Sequence, residues 1–472
     1  MCGQKNSYKW AACLLILVSF NSLAISNAII YVDDDGPADF NNIQAAIDYA
    51  NDGDTILVAD GTYIGNGNRD IDFKGKAITL KSQNGADTCI IDCQASEEDL
   101  HRGFYLHNHE GNDSIIDGFT IMNGCAYYGG GIEFFISNPT VQNCILKDNI
   151  AAMDPGFEGT STSGGGISIA TLNDDLCSKI INCKFINNTA TGSGGAISSS
   201  NSIIQNCEII GNRASVGGAI TGKNLTIYNC VINGNISISN SNYGGGAIFC
   251  QSANLIINNS TIVGNHSNSY GGAISLAHGY VKISNTIMVN NTAPLNDEIN
   301  PYTHTNSILL DISYSDIEGG MEGISITPKT TLNWGTGNID IYPLFVESGN
   351  WVDDNDPNAI VEPNDENATW IQGDYHLKSQ AGRFNQNTQI WVQDDVTSPC
   401  IDAGDPNSPI GYEPFPNGGY VNMGAYGGTL ETSKSYFGKP VCETIVAGDI
   451  NGDCKVDELD MEIMMIHWLE EH

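Results

Sequence analysis

The sequence is poor in positive charge: 19 Lys and Arg stand against 55 Asp and Glu, a formal net charge of −36. A surface of that sign repels nucleic acid and, without divalent cations, acidic polysaccharide, while favouring calcium. The common catalytic motifs are missing as well. There is no Cys-x-x-Cys pair, no His-Glu-x-x-His and no histidine pair at helical spacing, which argues against a zinc site. Neither a Gly-x-Ser-x-Gly elbow nor a phosphate-binding loop is present. Aromatic residues are scarce at 8%, yet apolar residues reach 41%, too many for a disordered chain. Beyond the first 28 residues no apolar stretch approaches membrane length.

Those first residues have their own pattern. Lys5 and Lys9 precede the apolar run Ala11 to Phe20, and small residues follow, ending at Ser26-Asn27-Ala28 or Ser22-Leu23-Ala24. Residues 1–28 therefore read as a signal peptide, which makes the protein secreted or displayed at the cell surface. Of the 14 cysteines, Cys2 and Cys13 fall in this leader.

What the chain has in abundance is glycine, 53 residues, and internal repetition. Asn followed by Cys, Ser or Thr occurs at Asn143-Cys144, Asn182-Cys183, Asn206-Cys207, Asn229-Cys230, Asn259-Ser260 and Asn285-Thr286. A second motif, Gly-Gly-Gly-Ile or Gly-Gly-Ala-Ile in most copies, ends at Ile132, Ile167, Ile197, Ile220, Ile248 and Ile274. The two series advance together, about two dozen residues per step or somewhat more, which leaves room for three short strands per repeat. Helical solenoids need apolar residues three and four apart over longer stretches, and the repeats lack them. The expected fold is all-β, a right-handed parallel β-helix, with loop insertions at Met153 to Ser163 and Ile236 to Tyr243. Stacked coils would bond the corner Asn of one Asn-Cys copy to the next and line up Cys144, Cys183, Cys207 and Cys230 as free, buried thiols. Apolar residues Ile43, Ala46, Ile47 and Ala50 predict a helix over Asn41 to Asn51 that plugs the N-terminal end, with coils beginning near residue 54. Irregular coils run through Ile308-Leu309-Leu310 and Ile339-Asp340-Ile341. From Pro343 the period fades into a stretch expected to cap the C-terminal end.

These segments resemble known families. Ile30-Tyr31-Val32-Asp33, Phe40 to Ile47 and Gly61-Thr62-Tyr63 look like the N-terminal cap and first coil of pectate-lyase-like β-helix proteins. The central repeats resemble those of chlamydial polymorphic outer-membrane proteins. Asp394 to Asp405 with Asn422-Met423-Gly424-Ala425-Tyr426-Gly427-Gly428 resembles the terminal segment of large secreted β-helix proteins of planctomycete type. The second likeness would imply an autotransporter, but no run of alternating C-terminal strands is there to build a barrel.

Near the C-terminus Asp449, Asn451, Asp453, Lys455, Asp457 and Asp460 occupy positions 1, 3, 5, 7, 9 and 12 of a loop. Oxygen ligands at alternate positions, a backbone carbonyl at 7 and a carboxylate at 12 are what Ca2+ requires. Gly448 to Asp460 also resembles one half of a dockerin, a module that docks on cohesin partners through calcium-ordered helices. Two features depart from that family: only one half is present, and Cys454 stands at position 6 where Gly is usual. Cys442 and Cys454 are expected to tie the module together.

The organisation expected is a signal peptide over 1–28, the β-helix with its caps over 29–432, a linker over 433–447 and a dockerin-like calcium-binding half EF-hand over 448–472. Two functions fit. One is a carbohydrate- or surface-binding structural protein, its partners a polysaccharide and, through the tail, a cohesin-like or cell-surface protein. The other is a polysaccharide lyase or glycoside hydrolase on the same scaffold. A lyase would need a base beside a carboxylate cluster. The candidates in the repeats, Lys147, Lys184, Arg213, Lys223 and Lys282, sit beside none and read as solvated surface charges.

Overall fold

The computed structural model describes residues 27–153, 162–171, 176–240, 243–295, 298–302, 307–438, 448, 450 and 456–468. Its body is a parallel β-solenoid. Strands stack in three sheets of 18, 10 and 6 strands, and every pairing in them is parallel.

One coil shows how the repeat folds. Ile197–Ser199 and Ser202–Gln205 lie in the first sheet, Glu208–Ile210 in the second and Arg213–Val216 in the third. The corners between them are Asn206 at φ 53°, Gly211 at φ 64° and Gly217 at φ 61°. Left-handed backbone of this kind favours Gly and, among residues with a side chain, Asn. That explains the first Asn of each repeat: Asn143, Asn182, Asn206, Asn229, Asn259 and Asn285 all have φ between 45° and 54°. The glycine pair has a further cause. A β-carbon on Gly195 would come within 2.3 Å of the Gly218 carbonyl oxygen, so coils can approach only if the residue has none.

The continuous asparagine ladder is the second Asn of each repeat, a correction to the expectation that placed it at the Asn-Cys corner. Asn149, Asn188, Asn212, Asn235, Asn265 and Asn291 are buried, and each Nδ2 donates to the Oδ1 of the next at 2.8–3.0 Å, the last one to Glu298 at 3.0 Å. The same amides also donate to backbone carbonyls, as Asn212 does to Phe185. Corner asparagines bond to one another only in places, Asn182 to Asn143, Asn206 to Asn182 and Asn285 to Asn259. The column is broken where Asn229 donates to the carbonyls of Ala425 and Gly427 and Asn259 to that of Asn422.

Cys144, Cys183, Cys207 and Cys230 form the expected inward stack of buried free thiols. Each Sγ donates to the carbonyl two residues back, at 3.1–3.3 Å. Ser260, Thr286 and Ser315 make the same bond in the following coils. Buried polarity at this position is thus satisfied within its own corner.

At the N-terminal end Asn42 caps a helix over Ile43–Tyr49, shorter than expected, and Ile43, Ala46 and Ile47 join the main core. The coils begin earlier than residue 54: Ile29–Val32 pairs in parallel register with Thr55–Val58, and the helix lies between these two strands in the chain. The last strand of the solenoid is Thr330–Trp334, paired with Ile308–Ser313.

Beyond Pro343 the chain makes antiparallel pairs, Phe345–Glu347 with Asp374–Leu377, Asn350–Asp353 with two neighbours, and Arg383–Asn385 with Ile390–Val392. The expected end cap is instead a layer along the flank of the second sheet. Phe345, Tyr375, Leu377, Cys400, Ile401, Met423 and Ala425 form a second core with Val231, Val263, Ile287 and Val289 of the coils. Trp370 lies across Gly234 and Gly264 of successive coils and donates from Nε1 to Asn233 Oδ1 at 2.6 Å.

Candidate functional site

Outward positions of the first sheet stack in register as Glu133, Ser168, Ser198 and Thr221. Beside them Tyr128, Ser163 and Ser193 form another column at the corner that leads into this sheet. Along these columns, which touch where Ser163 bonds to Ser168, lies a groove of about 530 Å³; half of its lining residues are Ser or Thr, with Tyr128 and Phe135 at one end and Lys223 and Gln251 at the other. Both aromatic rings are open to solvent, Tyr128 at 40% and Phe135 at 43% exposure.

The charges here are arranged for neutrality. Arg102 pairs with Glu133, and the two side chains are 18% and 13% exposed. The same guanidinium lies over the Tyr105 ring at 5.0 Å, and Tyr105 stacks on His107 at 4.2 Å. Burial lowers the Arg102 pKa from its ordinary value. No His, Asp or Cys is among the described residues that line the groove. Chemically, the surface offers neutral donors and acceptors with two apolar faces, the equipment for holding a polyhydroxylated ligand.

No family model matches the sequence, and no curated protein does. Among solved structures the chain is similar to the pectate lyase Pel9A, at 16% identity and a TM-score of 0.46, over 85% of this chain and 97% of that one. A pectin methylesterase from carrot is similar at 11% identity and a TM-score of 0.33, over 65% of this chain and 88% of that one.

A second cleft, of about 540 Å³, separates the second sheet from the C-terminal layer and is lined by Glu208, Tyr412, Tyr426 and Glu431 among others. Glu208 is held by Lys184 at 3.2 Å. Behind it His376 is fully buried, stacked on Tyr426 at 3.7 Å, with Nδ1 2.6 Å from Asp374 and Nε2 3.5 Å from Glu431. Burial alone would lower the His376 pKa, but the two carboxylates override it and hold the imidazole above its usual value. Arg383 grips both oxygens of Asp394 at 3.0 and 3.1 Å. These cations and carboxylates are paired inside the layer.

The basic residues considered from sequence do not converge. Lys147 and Lys184 lie on the second sheet, Arg213 on the third, and Lys223 and Lys282 on the first. Only Lys223 lines the groove. Sequence reasoning missed Arg102, Glu133, Tyr128 and Phe135. Their signal was weak: two aromatic residues and a glutamate flanking one Gly-Gly-Gly-Ile copy, with the arginine a coil earlier.

Of the calcium-loop residues, Asp449, Asn451, Asp453 and Lys455 lie outside the described residues, as do Cys442, Cys454 and residues 1–26 of the leader. Asp457 is exposed just before the helix Glu458–Trp468. Asp460 is buried, accepting from the Ile450 N–H at 2.6 Å and the Asp457 N–H at 2.9 Å. Among the described residues no helix is long and apolar enough to cross a membrane.

Proposed function

We propose that this is an exported carbohydrate-binding protein, with the first-sheet groove as its binding surface and the C-terminal loop as a calcium-ordered attachment module. The observation that carries the reading is the groove itself: stacked hydroxyls with two exposed rings at one end, and a lining carboxylate, Glu133, already paired to Arg102. Recognition needs such groups held rigidly, and a β-sheet floor holds them. The leader read in residues 1–28 supports export, and the formal charge of −36 disfavours nucleic acid as a partner.

The test is titration calorimetry of the full chain against polysaccharides, run beside an absorbance assay for unsaturated products with pectate, alginate and xylan plus calcium. Binding without product growth is expected. Growth of that absorbance signal would overturn the non-catalytic reading in favour of a polysaccharide lyase, for which the cleft with Glu208 and Glu431 is the place to look.

Asp449, Asn451, Asp453, Lys455 through its carbonyl, Asp457 and Asp460 would hold Ca2+ in the tail. The inward-turned carboxylate of Asp460 supports this, since position 12 of such a loop closes on the ion. A cohesin-like or cell-surface protein is the partner that such a module would engage. Calcium titration should show one site, and Asp460→Ala should weaken it at least ~10-fold, the consequence of losing a carboxylate ligand. An unchanged affinity would remove the loop from consideration.

A further inference from the structure

Resting on the groove as a glycan site, we infer that its ligand is a neutral, extended polysaccharide lying parallel to the solenoid axis, with its apolar sugar faces seated at the Tyr128 and Phe135 end. Three observations converge on this.

Direction comes from register. Glu133, Ser168, Ser198 and Thr221 are equivalent positions of successive coils, and so are Tyr128, Ser163 and Ser193. Both columns run along the axis, so the groove they line does too. Neighbouring strands are about 4.8 Å apart, a step similar to one sugar of an extended chain. A ligand laid along the groove meets fresh hydroxyls at successive coils, whereas one laid across it meets those of a single coil.

Neutrality comes from charge. A polyuronate brings a carboxylate with each sugar, and among the described lining residues the cations amount to Lys223 alone. Arg102 is engaged by Glu133 and by the Tyr105 ring. The whole chain, at −36, would repel such a polymer further. Ser and Thr hydroxyls, by contrast, both donate and accept, and match sugar hydroxyls without any charge.

Polarity along the groove comes from its two ends. Tyr128 and Phe135 offer half-exposed rings at one end, and Lys223 and Gln251 close the other. A sugar face finds aromatic rings to stack on at that end, and among the described lining residues nowhere else, which fixes the register of the chain.

The experiment uses the full chain and calorimetry with glucan, xylan and mannan oligosaccharides of increasing length, with oligogalacturonates measured with and without calcium. Affinity for a neutral series should climb with each added sugar to about four or five, the number of coils the groove crosses, and then level off. Raising NaCl tenfold should change it by less than about twofold, since no ion pairs form. Phe135→Ala, at an exposed position, should weaken binding at least ~10-fold while leaving the far-UV circular dichroism unchanged. Tighter binding of oligogalacturonates with a steep salt or calcium dependence, still sensitive to Phe135→Ala, would overturn the neutral-ligand inference while leaving the groove as the glycan site. No glycan binding at all, or binding indifferent to Phe135→Ala, would overturn the groove reading itself.

Discussion

Two asparagines in every repeat look alike in sequence and do different work. Asn212 is buried: its Oδ1 accepts from the backbone N–H and the Nδ2 of Asn188, and its own amide donates to Asn235 and to Phe185. Asn206 stands at a left-handed corner with its amide on Asn182. Asn212→Ala should therefore cost ~3 kcal/mol in urea unfolding, because it strands buried partners above and below. Asn206→Gly should stay within about 1 kcal/mol, since Gly tolerates the same φ. Equal costs would mean that the ladder and the corner are not distinct. The sequence showed both asparagines at fixed spacing but not which one faces inward. The corner was read from the repeat, but a left-handed corner interrupts the strand alternation from which direction is usually inferred. The thiol stack was legible because alternation from Cys into Phe185 or Ile209 runs unbroken.

Among the elements, the second-sheet strands carry a signal that was there to be read. Lys184–Ile186 alternates exposed and buried residues, as a sheet with one wet face should. Val231–Asn233, Thr261–Val263 and Ile287–Val289 are buried throughout, the mark of a strand covered on both faces. The covering layer was hidden because its own pairs are local and antiparallel and have no repeat. Trp370 is its partly buried anchor, so Trp370→Ala should cost up to about 3 kcal/mol of layer stability and open residues 345–435 to proteolysis while the coils stay protected. Titration acts on the same layer. The His376 pKa is raised, so its contribution is complete below the ordinary imidazole value and is lost as pH rises through the folded one. Burial pushes Glu413 up to about 7, and its contribution likewise disappears as pH rises through that value. Asp374 and Glu431 have lowered values: burial raises Asp374, but His376 outweighs it, and the hydrogen bond to His376 leads for Glu431. Their contributions are present above the ordinary carboxylate range and lost as pH falls through the lowered values. Amides of residues 374–431 should thus be best protected from exchange in mildly acidic solution and lose protection above neutral pH. Protection that rises steadily into alkali would contradict this account.

At the scale of the whole molecule, the interior and the surface respond to different variables. The cores are apolar side chains and neutral amides, to which dissolved salt is indifferent. The surface is a field of acidic groups that 19 Lys and Arg cannot balance against 55 Asp and Glu. Ion pairs such as Lys74 with Asp48 at 2.6 Å are half exposed, and solvent screening leaves pairs of that kind little to contribute. Repulsion among the unmatched carboxylates extends over roughly 10 Å at 0.1 M salt, far enough to span neighbouring coils. It is present in the compact state and weaker in the unfolded chain, so screening it should stabilise the fold. Thermal unfolding in increasing NaCl should accordingly move the midpoint upward, most steeply at low ionic strength and flattening as the screening length shrinks toward a single contact. A midpoint that falls with added salt would mean that the few exposed pairs outweigh the repulsion, and that the acidic surface is organised more tightly than its net charge implies.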